Sequence, residues 1–230
     1  VQSGLYRVTY TGTESTAPVA ETRQPSQART LRHQLEAFHG KTDPRAVAVA
    51  WPHLNDSDRF IRWAARTAIE HVPVSHWSER ALTEPNSSLR VEALLGLARA
   101  GGVSPPHRTE GTAPVNTELG RKLVDALVKT DWKALDANRR LTFVRAVQIV
   151  LHRFGPFSAA ENQRLIAKLD PLFPATPELN WLLVETLVGL QSPTIAAKTL
   201  AVMADAATQE EQIEYARSLR MLKTGWTPAT

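Results

Sequence analysis

The chain has 230 residues and contains no cysteine. It therefore has no disulfide framework, thiolate zinc site or cysteine nucleophile, and no attachment point for a c-type haem. It also lacks a run of about 18 apolar residues, the length that a membrane-spanning helix needs. The motifs Gly-x-Gly-x-x-Gly, Gly-x-x-x-x-Gly-Lys and Gly-x-Ser-x-Gly are absent, so no common nucleotide loop or serine elbow is indicated.

The composition is that of a globular chain with a sizeable core, at 43% hydrophobic and 22% charged residues. The net charge of +4 is evenly spread, with 13 basic and 11 acidic residues before Asn116 and 14 and 12 from it onward. Nucleic-acid binders concentrate their cations on one face. The candidate basic stripe is Arg59, Arg62 and Arg66 at i, i+3 and i+7, and a solvated helix face is the favoured interpretation of it.

The first twelve residues differ from the rest of the chain. Leu5–Tyr10 is rich in aromatic and β-branched residues and ends at Thr11-Gly12, which predicts one short β-strand and a turn. A single strand needs a partner edge, so we expect it to pair on the helical body or with a sheet outside this chain. Residues 13–26 are polar and aperiodic, as in a linker.

From residue 27 to residue 222 the apolar period is helical, and it predicts an all-α domain of about eleven helices. The predicted helices are 27–39, 44–54, 58–71, 76–83, 87–100, 117–130, 137–154, 159–172, 177–190, 193–206 and 209–222. Capping boxes are predicted at Ser158/Glu161 and Thr208/Glu211, and Ser192-Pro193 predicts a helix start. Residues 101–116 are rich in Gly and Pro and predict a loop dividing two helical blocks, and 223–230 form a tail.

An internal repeat indicates the architecture. The segment from Asp58 is echoed 28 residues later from Asn86, and Leu89–Leu97 matches Leu182–Leu190 at an offset of 93, or about three units of 31. Small residues permit close helix approach, and the motif arginine can pair with an aspartate of the preceding or neighbouring repeat. Stacked helix pairs would form an α-solenoid, although a generic helical bundle would contain the same helices.

The repeat motif resembles short bacterial HEAT-like repeats. Residues 4–10 resemble the closing strand of six-bladed propellers related to glucose/sorbosone dehydrogenases, and residues 29–40 and 208–226 resemble the HEAT-like region that follows this propeller in large exported planctomycete-type proteins. In those proteins a cytochrome c segment commonly follows. The resemblance implies an exported chain that is the middle piece of a larger protein. It carries over no catalytic residue.

The residues themselves predict no catalytic, cofactor-binding or metal-binding site. His33, Glu36 and His39 have metal-like spacing, but about 100° of rotation per residue sets the two histidines about 120° apart. Trp226 lies beyond the last predicted helix. It is predicted either to contact an absent domain or to fold back on the terminal repeat, alternatives that the sequence leaves equal.

Three functions remain open at this stage. The leading hypothesis is a non-catalytic scaffold that docks other domains of its parent or a partner protein, through the N-terminal strand, Trp226 and, as a third surface, Arg59, Arg62 and Arg66. The alternative is a part of a sugar or aldehyde dehydrogenase that needs the missing propeller. The third is nucleic-acid binding through the arginine stripe.

Overall fold

A computed structural model describes residues 4–18 and 26–228. In this part the chain is all-α, as predicted, with no β-strand among the described residues. The α-helices are α1 (Gln27–Glu36), α2 (Arg45–Ala50), α3 (Arg59–Glu70), α4 (Ser78–Thr83), α5 (Ser87–Gly101), α6 (Thr117–Lys129), α7 (Ala137–Phe154), α8 (Ala159–Leu169), α9 (Pro177–Gly189), α10 (Ile195–Ala204) and α11 (Gln209–Leu219). No helix of the described residues is long and apolar enough to cross a membrane.

Two helix starts were predicted as capping boxes, and one of them is complete. The Ser158 hydroxyl accepts from the backbone N–H of Glu161, whose carboxylate accepts from the backbone N–H of Ser158 at 2.8 Å. At the start of α11, Thr208 accepts from the N–H of Glu211. The carboxylate of Glu211 instead accepts from the Tyr215 hydroxyl at 3.1 Å, so only half of that box forms.

Helix α10 begins two residues later than predicted. The hydroxyls of Ser192 and Thr194 both donate to the carboxylate of Asp170, and Lys198 donates to it at 2.6 Å. Burial raises the pKa of Asp170, but the hydrogen bonds from Lys198, Thr194 and Ser192 outweigh burial and hold this pKa below its ordinary value. The predicted cap residue, Ser192, is thus used to tie α10 to the end of α8.

The helices form two layers. In one layer α1, α3, α5, α7, α9 and α11 follow one another, and each packs against the next in that order. In the other layer α2, α4, α6, α8 and α10 each pack against the first-layer helix that follows in the chain. We call the first set the inner helices. Five helix pairs stacked in chain order, with α1 at one end, is the arrangement expected of a helical repeat.

The 28-residue repeat is visible in the hydrogen bonds. Arg62 of α3 donates to the carbonyl of Asp56 at 2.8 Å, and Arg90 of α5 donates to the carbonyl of Glu84. The carboxylates of Asp56 and Glu84 each accept from the backbone N–H two residues on, at 2.8 and 3.0 Å. Each bond recurs at the same spacing, so the predicted repeat from α3 to α5 is confirmed.

Arg62 and Arg90 are each the fourth residue after the N-cap of their helix. The residue at this position also contacts the preceding segment in later inner helices. In α9 it is Asn180, which exchanges two hydrogen bonds with the backbone of Ala175, and in α11 it is Gln212, which donates to a carbonyl of α10 at 3.2 Å. In α7 it is Arg140, whose guanidinium stacks on Trp132 instead. In α3, α5, α9 and α11 a polar side chain at this position therefore hydrogen-bonds the backbone of the segment before the helix.

The predicted count of three repeat units between the segments at Leu89 and Leu182 is wrong. Helices α5 and α9 both belong to the inner layer, but they are two helix pairs apart. The intervening pair is longer than the others because it includes the loop 102–116 and the 18-residue α7.

The loop 102–116 does not divide the helical array into two blocks. It lies over the end of α7, where Arg153 donates to the carbonyl of Gly102 at 2.7 Å and Arg108 donates to the carbonyl of Arg153 at 3.2 Å. Inner helices α5 and α7 pack directly on each other beneath it. The loop is therefore an insertion at the rim of a continuous array.

The predicted N-terminal strand is absent from the described residues. Leu5, Tyr6 and Val8 are 103%, 86% and 95% exposed, and residues 5–10 form no strand. A strand exists only where a neighbouring strand supplies its hydrogen bonds, and no described segment does so. The prediction that it pairs on the helical body is wrong for this structure.

The tryptophans are divided between core and surface. Trp51 and Trp77 are buried, and Trp132 is half-buried edge-on to Phe143. The other three, Trp63, Trp181 and Trp226, are exposed. Half of the tryptophans therefore contribute to core packing and half lie at the surface.

Candidate functional site

The three arginines of the predicted basic stripe do not share one exposed face. Arg59 is exposed, with its guanidinium 4.9 Å from the ring centre of Phe60. Arg62 is buried and Arg66 is half-buried. Phe60 and Trp63 are exposed on the same helix, so Arg59 belongs to a mixed aromatic and cationic patch at the start of α3.

Arg62 and Arg66 are partners of one buried acid. Glu92 of α5 is 3% exposed, and its carboxylate lies 3.5 Å from Arg62 and 2.8 Å from Arg66. Arg66 also pairs with Glu70 at 3.3 Å. A motif arginine, Arg62, thus pairs with an acid of the neighbouring repeat, but this acid is a glutamate and not the predicted aspartate. Two of the three charges of the proposed stripe are therefore used inside the molecule, and phosphate groups cannot bind them without breaking these pairs.

A further arginine from α7 adjoins this cluster. Arg139 is 4% exposed and donates to the carbonyl of Asp56 at 3.3 Å. Burial and the nearby Arg62 lower the pKa of the Arg139 guanidinium, and Glu92 opposes them. The carboxylate of Glu92 thus offsets cations that come from both neighbouring inner helices.

The Arg66–Glu92 pair also closes the surface between α3 and α5. A Cβ atom placed on Gly96 would lie 3.2 Å from Cγ and 3.6 Å from Cδ of Arg66. The aliphatic part of the arginine therefore lies across the glycine, one turn beyond Glu92. Only the absence of a side chain at Gly96 leaves space for it.

The residues that the sequence match aligns with Glu92 and Gly96 are open. They are Glu185 and Gly189 of α9, and counted from the N-caps Asn86 and Thr176 they lie three residues further along their helix. Glu185 is exposed and accepts a hydrogen bond from Gln148 of α7 at 3.0 Å. No heavy atom lies within 4 Å of a Cβ placed on Gly189.

One turn beyond Gln148 in α7 stands His152, and it does not cover Gly189. Its ring nitrogen Nε2 lies 2.7 Å from the hydroxyl of Ser104 in the loop 102–116. The surroundings of the two glycines therefore differ. Arg66 of α3 reaches across α5, whereas His152 of α7 is held to the loop, and the surface of α9 stays uncovered.

Two adjoining cavities result, each of about 500 Å³. One lies between α7 and α9 and the other between α9 and α11, and Glu185 and Gly189 line both. The first is further lined by Arg145, Gln148, Ile149, Leu151, His152 and Thr186. The second is further lined by Val188, Gln191, Arg217, Ser218, Arg220, Met221 and Lys223. We call the two cavities together the α9 groove.

The charge of the α9 groove is predominantly positive. Arg145, Arg220 and Lys223 have no carboxylate at ion-pair distance among the residues that the structure describes, and Arg217 pairs with Glu214. Glu185 is the one acidic residue that lines the groove. Sequence analysis missed this group because the residues come from three inner helices, and single sequence motifs do not show which helices pack together.

The Ser104–His152 pair has the spacing of a nucleophile and its base, and sequence analysis missed it as well. A serine nucleophile also needs a third group that orients the histidine, and no carboxylate contacts His152 among the described hydrogen bonds and ion pairs. Ser104 caps the short turn Pro105–His107 and anchors the loop to α7. The geometry supports a structural role.

The histidines with metal-like spacing are used differently from one another. His39 Nε2 lies 2.9 Å from the carbonyl of Ala64, which joins the chain after α1 to α3, and Glu36 pairs with Arg32 at 3.1 Å. His33 is exposed. In the described ranges, 4–18 and 26–228, no group of three or more His, Asp or Glu side chains is placed to hold a metal ion.

Trp226 lies on a tail that folds back on the last helices. Its indole N–H donates to the carbonyl of Leu222 at 3.0 Å, and Gln191 accepts from the backbone N–H of Lys223 at 2.8 Å. Gly225 has φ 76, and a Cβ there would lie 2.4 Å from a backbone oxygen of Pro193. The tail is thus closely packed, while the indole ring is 45% exposed beside the α9 groove residue Lys223.

Comparison with known proteins gives no relative from which a site could be transferred. No protein-family model matches the chain, and neither a curated protein nor a solved structure is similar to it at a significant level.

Proposed function

We propose that the chain is a non-catalytic, HEAT-like α-solenoid that docks partner domains of a larger, exported dehydrogenase-like protein. The observation that carries the docking role is the α9 groove, an open and mainly cationic surface formed by α7, α9 and α11. The bonds repeated at the starts of α3, α5, α9 and α11 support the solenoid. Export and the dehydrogenase-like parent rest on the resemblance of residues 4–10, 29–40 and 208–226.

Two further surfaces support docking. Residues 5–10 present Leu5, Tyr6 and Val8 to solvent in an extended, strand-forming sequence, which suits addition to the edge of a sheet in another domain. Trp226 offers a half-exposed indole at the other end of the chain. Large exposed apolar side chains of this kind are typical of contact surfaces.

The proposal predicts that the chain by itself is catalytically inert. We expect no reduction of an artificial electron acceptor when the purified chain is mixed with aldose sugars or aldehydes, and no stoichiometric heat when Zn²⁺, Ca²⁺ or Cu²⁺ is titrated into it. The reason is that Glu36, His39 and the Ser104–His152 pair are used in structural contacts, while His33 is exposed on its own. Measured turnover, or a metal bound at one ion per chain, would overturn the proposal.

The docking proposal and the dehydrogenase alternative predict different results when residues 27–222 are deleted from the larger protein. If residues 27–222 only dock domains, deleting them from the parent leaves turnover by a separately folded propeller domain intact and weakens its association with the electron-accepting domain. If they complete a catalytic site, turnover is lost although the propeller is folded. Steady-state kinetics with a small soluble electron acceptor separate the two, because that acceptor needs no docking.

A further inference from the structure

We infer that the α9 groove binds an acidic peptide segment of its partner, and that an aliphatic side chain of this segment packs on Gly189. The inference rests on the proposed docking function and names the chemistry of the partner. It is carried by two observations: the charge of the groove and the uncovered glycine.

The charge of the groove selects an anionic guest. Arg145 stands on the α7 side, and Arg217, Arg220 and Lys223 stand on the α11 side. Three of these four cations have no acidic partner in the described residues. Carboxylates of a guest chain would therefore form ion pairs on both walls without breaking one that already exists. A basic guest would meet like charges on both walls, which disfavours it.

The centre of the groove favours an uncharged side chain. Glu185 lies between the two cationic walls, and its carboxylate already accepts from Gln148. Beside it, Gly189 has open space above it, and the half-buried Ile149 and the exposed Met221 provide apolar surface. An uncharged aliphatic side chain fits this centre better than a carboxylate, because a guest carboxylate here would face Glu185.

The closed site shows what such a guest side chain does. At Gly96 an aliphatic chain, the Cγ and Cδ atoms of Arg66, packs on the bare glycine backbone. The guest is expected to use Gly189 in the same way. Its charges differ from those of Arg66, because the surroundings do: the α9 groove is rich in cations, whereas Arg66 enters a site with the acids Glu70 and Glu92.

The two cavities lie on either side of α9 and adjoin at its exposed residues Glu185 and Gly189. A chain lying across the groove would contact both cationic walls and place one side chain at the central glycine. This geometry predicts a short motif in the partner: acidic residues on both sides of one aliphatic residue.

The test uses fluorescence anisotropy with the whole chain and three labelled peptides. The first peptide has glutamates flanking one leucine, the second has glutamates only, and the third has lysines flanking one leucine. We expect the first to bind most tightly, the second about fivefold to tenfold more weakly, and the third not at all. Binding of the first should weaken as salt rises, because exposed ion pairs are screened.

Variants locate the binding. Arg145→Glu combined with Arg220→Glu is expected to weaken the first peptide by about tenfold or more, whereas Lys133→Glu, an exposed lysine outside the groove, leaves its affinity within about twofold. Gly189→Leu fills the centre and is expected to reduce the affinity for the first peptide to that for the second. Circular dichroism confirms that each variant keeps its helices.

Three results would overturn the inference. One is failure of the first peptide to bind. Another is equal binding to the groove variants and to the unchanged chain. The third is equally tight binding of duplex DNA with the same response to the variants, which would make the groove a general polyanion surface. In each case a chain without turnover and without bound metal leaves the docking proposal standing, so the two failures are distinguishable.

Discussion

Replacing Glu92 by glutamine is expected to destabilise the chain by about 3–5 kcal/mol. The substitution keeps the size of the side chain but removes the negative charge that offsets Arg62 and Arg66. Arg62 is buried and Arg139 lies beside it, so cations from α3 and α7 are left together in a site with little access to water. Removing one partner of a buried ion pair destabilises the folded state this much because the remaining charge is uncompensated.

The measurement is urea unfolding followed by circular dichroism, with Glu118→Gln as the matched control. Glu118 pairs with Lys122 at 2.9 Å, but its side chain is 69% exposed, so its loss should hardly change the unfolding midpoint. With a typical urea slope of about 2 kcal/mol/M, Glu92→Gln should lower the midpoint by about 1.5–2.5 M. Equal shifts for the two variants would show that the cluster at Glu92 does not hold α3, α5 and α7 together.

The two corresponding glycines should respond oppositely to leucine. Gly96→Leu places a side chain where Arg66 lies, so it must expel the arginine from its pair with Glu92. We expect a loss of about 2–3 kcal/mol, from overpacking and from the weakened ion pair. Gly189→Leu enters open space near the end of α9, and replacing glycine in a helix should leave stability unchanged or raise it by about 0.5–1 kcal/mol.

The same unfolding assay compares the two, and each glycine is the control of the other. The helical propensity gained is similar at both positions, so the difference between them reports the packing above each glycine. If Gly189→Leu destabilises as much as Gly96→Leu, the surface of α9 is covered in solution and the α9 groove does not exist as described.

The helices follow from the sequence because their signals are local. Apolar residues at helical spacing, with caps such as Ser158 and Thr208, predict all eleven helices, and the boundaries differ by a few residues. The late start of α10 shows the limit of this reasoning. Ser192 is a good cap by type, but Asp170, 22 residues earlier, binds its hydroxyl. A local pattern carries no information about that competitor.

The candidate site depends on contacts between distant residues, and less of it was predictable. The spacing of Arg59, Arg62 and Arg66 indicates one helix face, but only Arg59 is exposed on it. What the spacing does not show is that Glu92 of the next inner helix pairs with the other two. The match of Glu92 and Gly96 with Glu185 and Gly189 was visible in the sequence. The match does not show that the aligned residues lie at different distances from their N-caps, and their surroundings differ accordingly.

The absence of cysteine gives the most direct test of the open groove, because a single introduced thiol can be labelled without background. Gly189→Cys and Gly96→Cys are treated separately with a thiol reagent under native conditions, and each rate is compared with the rate in denaturant. We predict that the thiol at 189 reacts about as fast in the folded as in the unfolded chain, and is protected by the glutamate–leucine peptide. The thiol at 96 should react at least about 100-fold more slowly when folded, a protection of roughly 3 kcal/mol. Similar rates at the two positions would contradict the account, because α9 would then be no more open than α5.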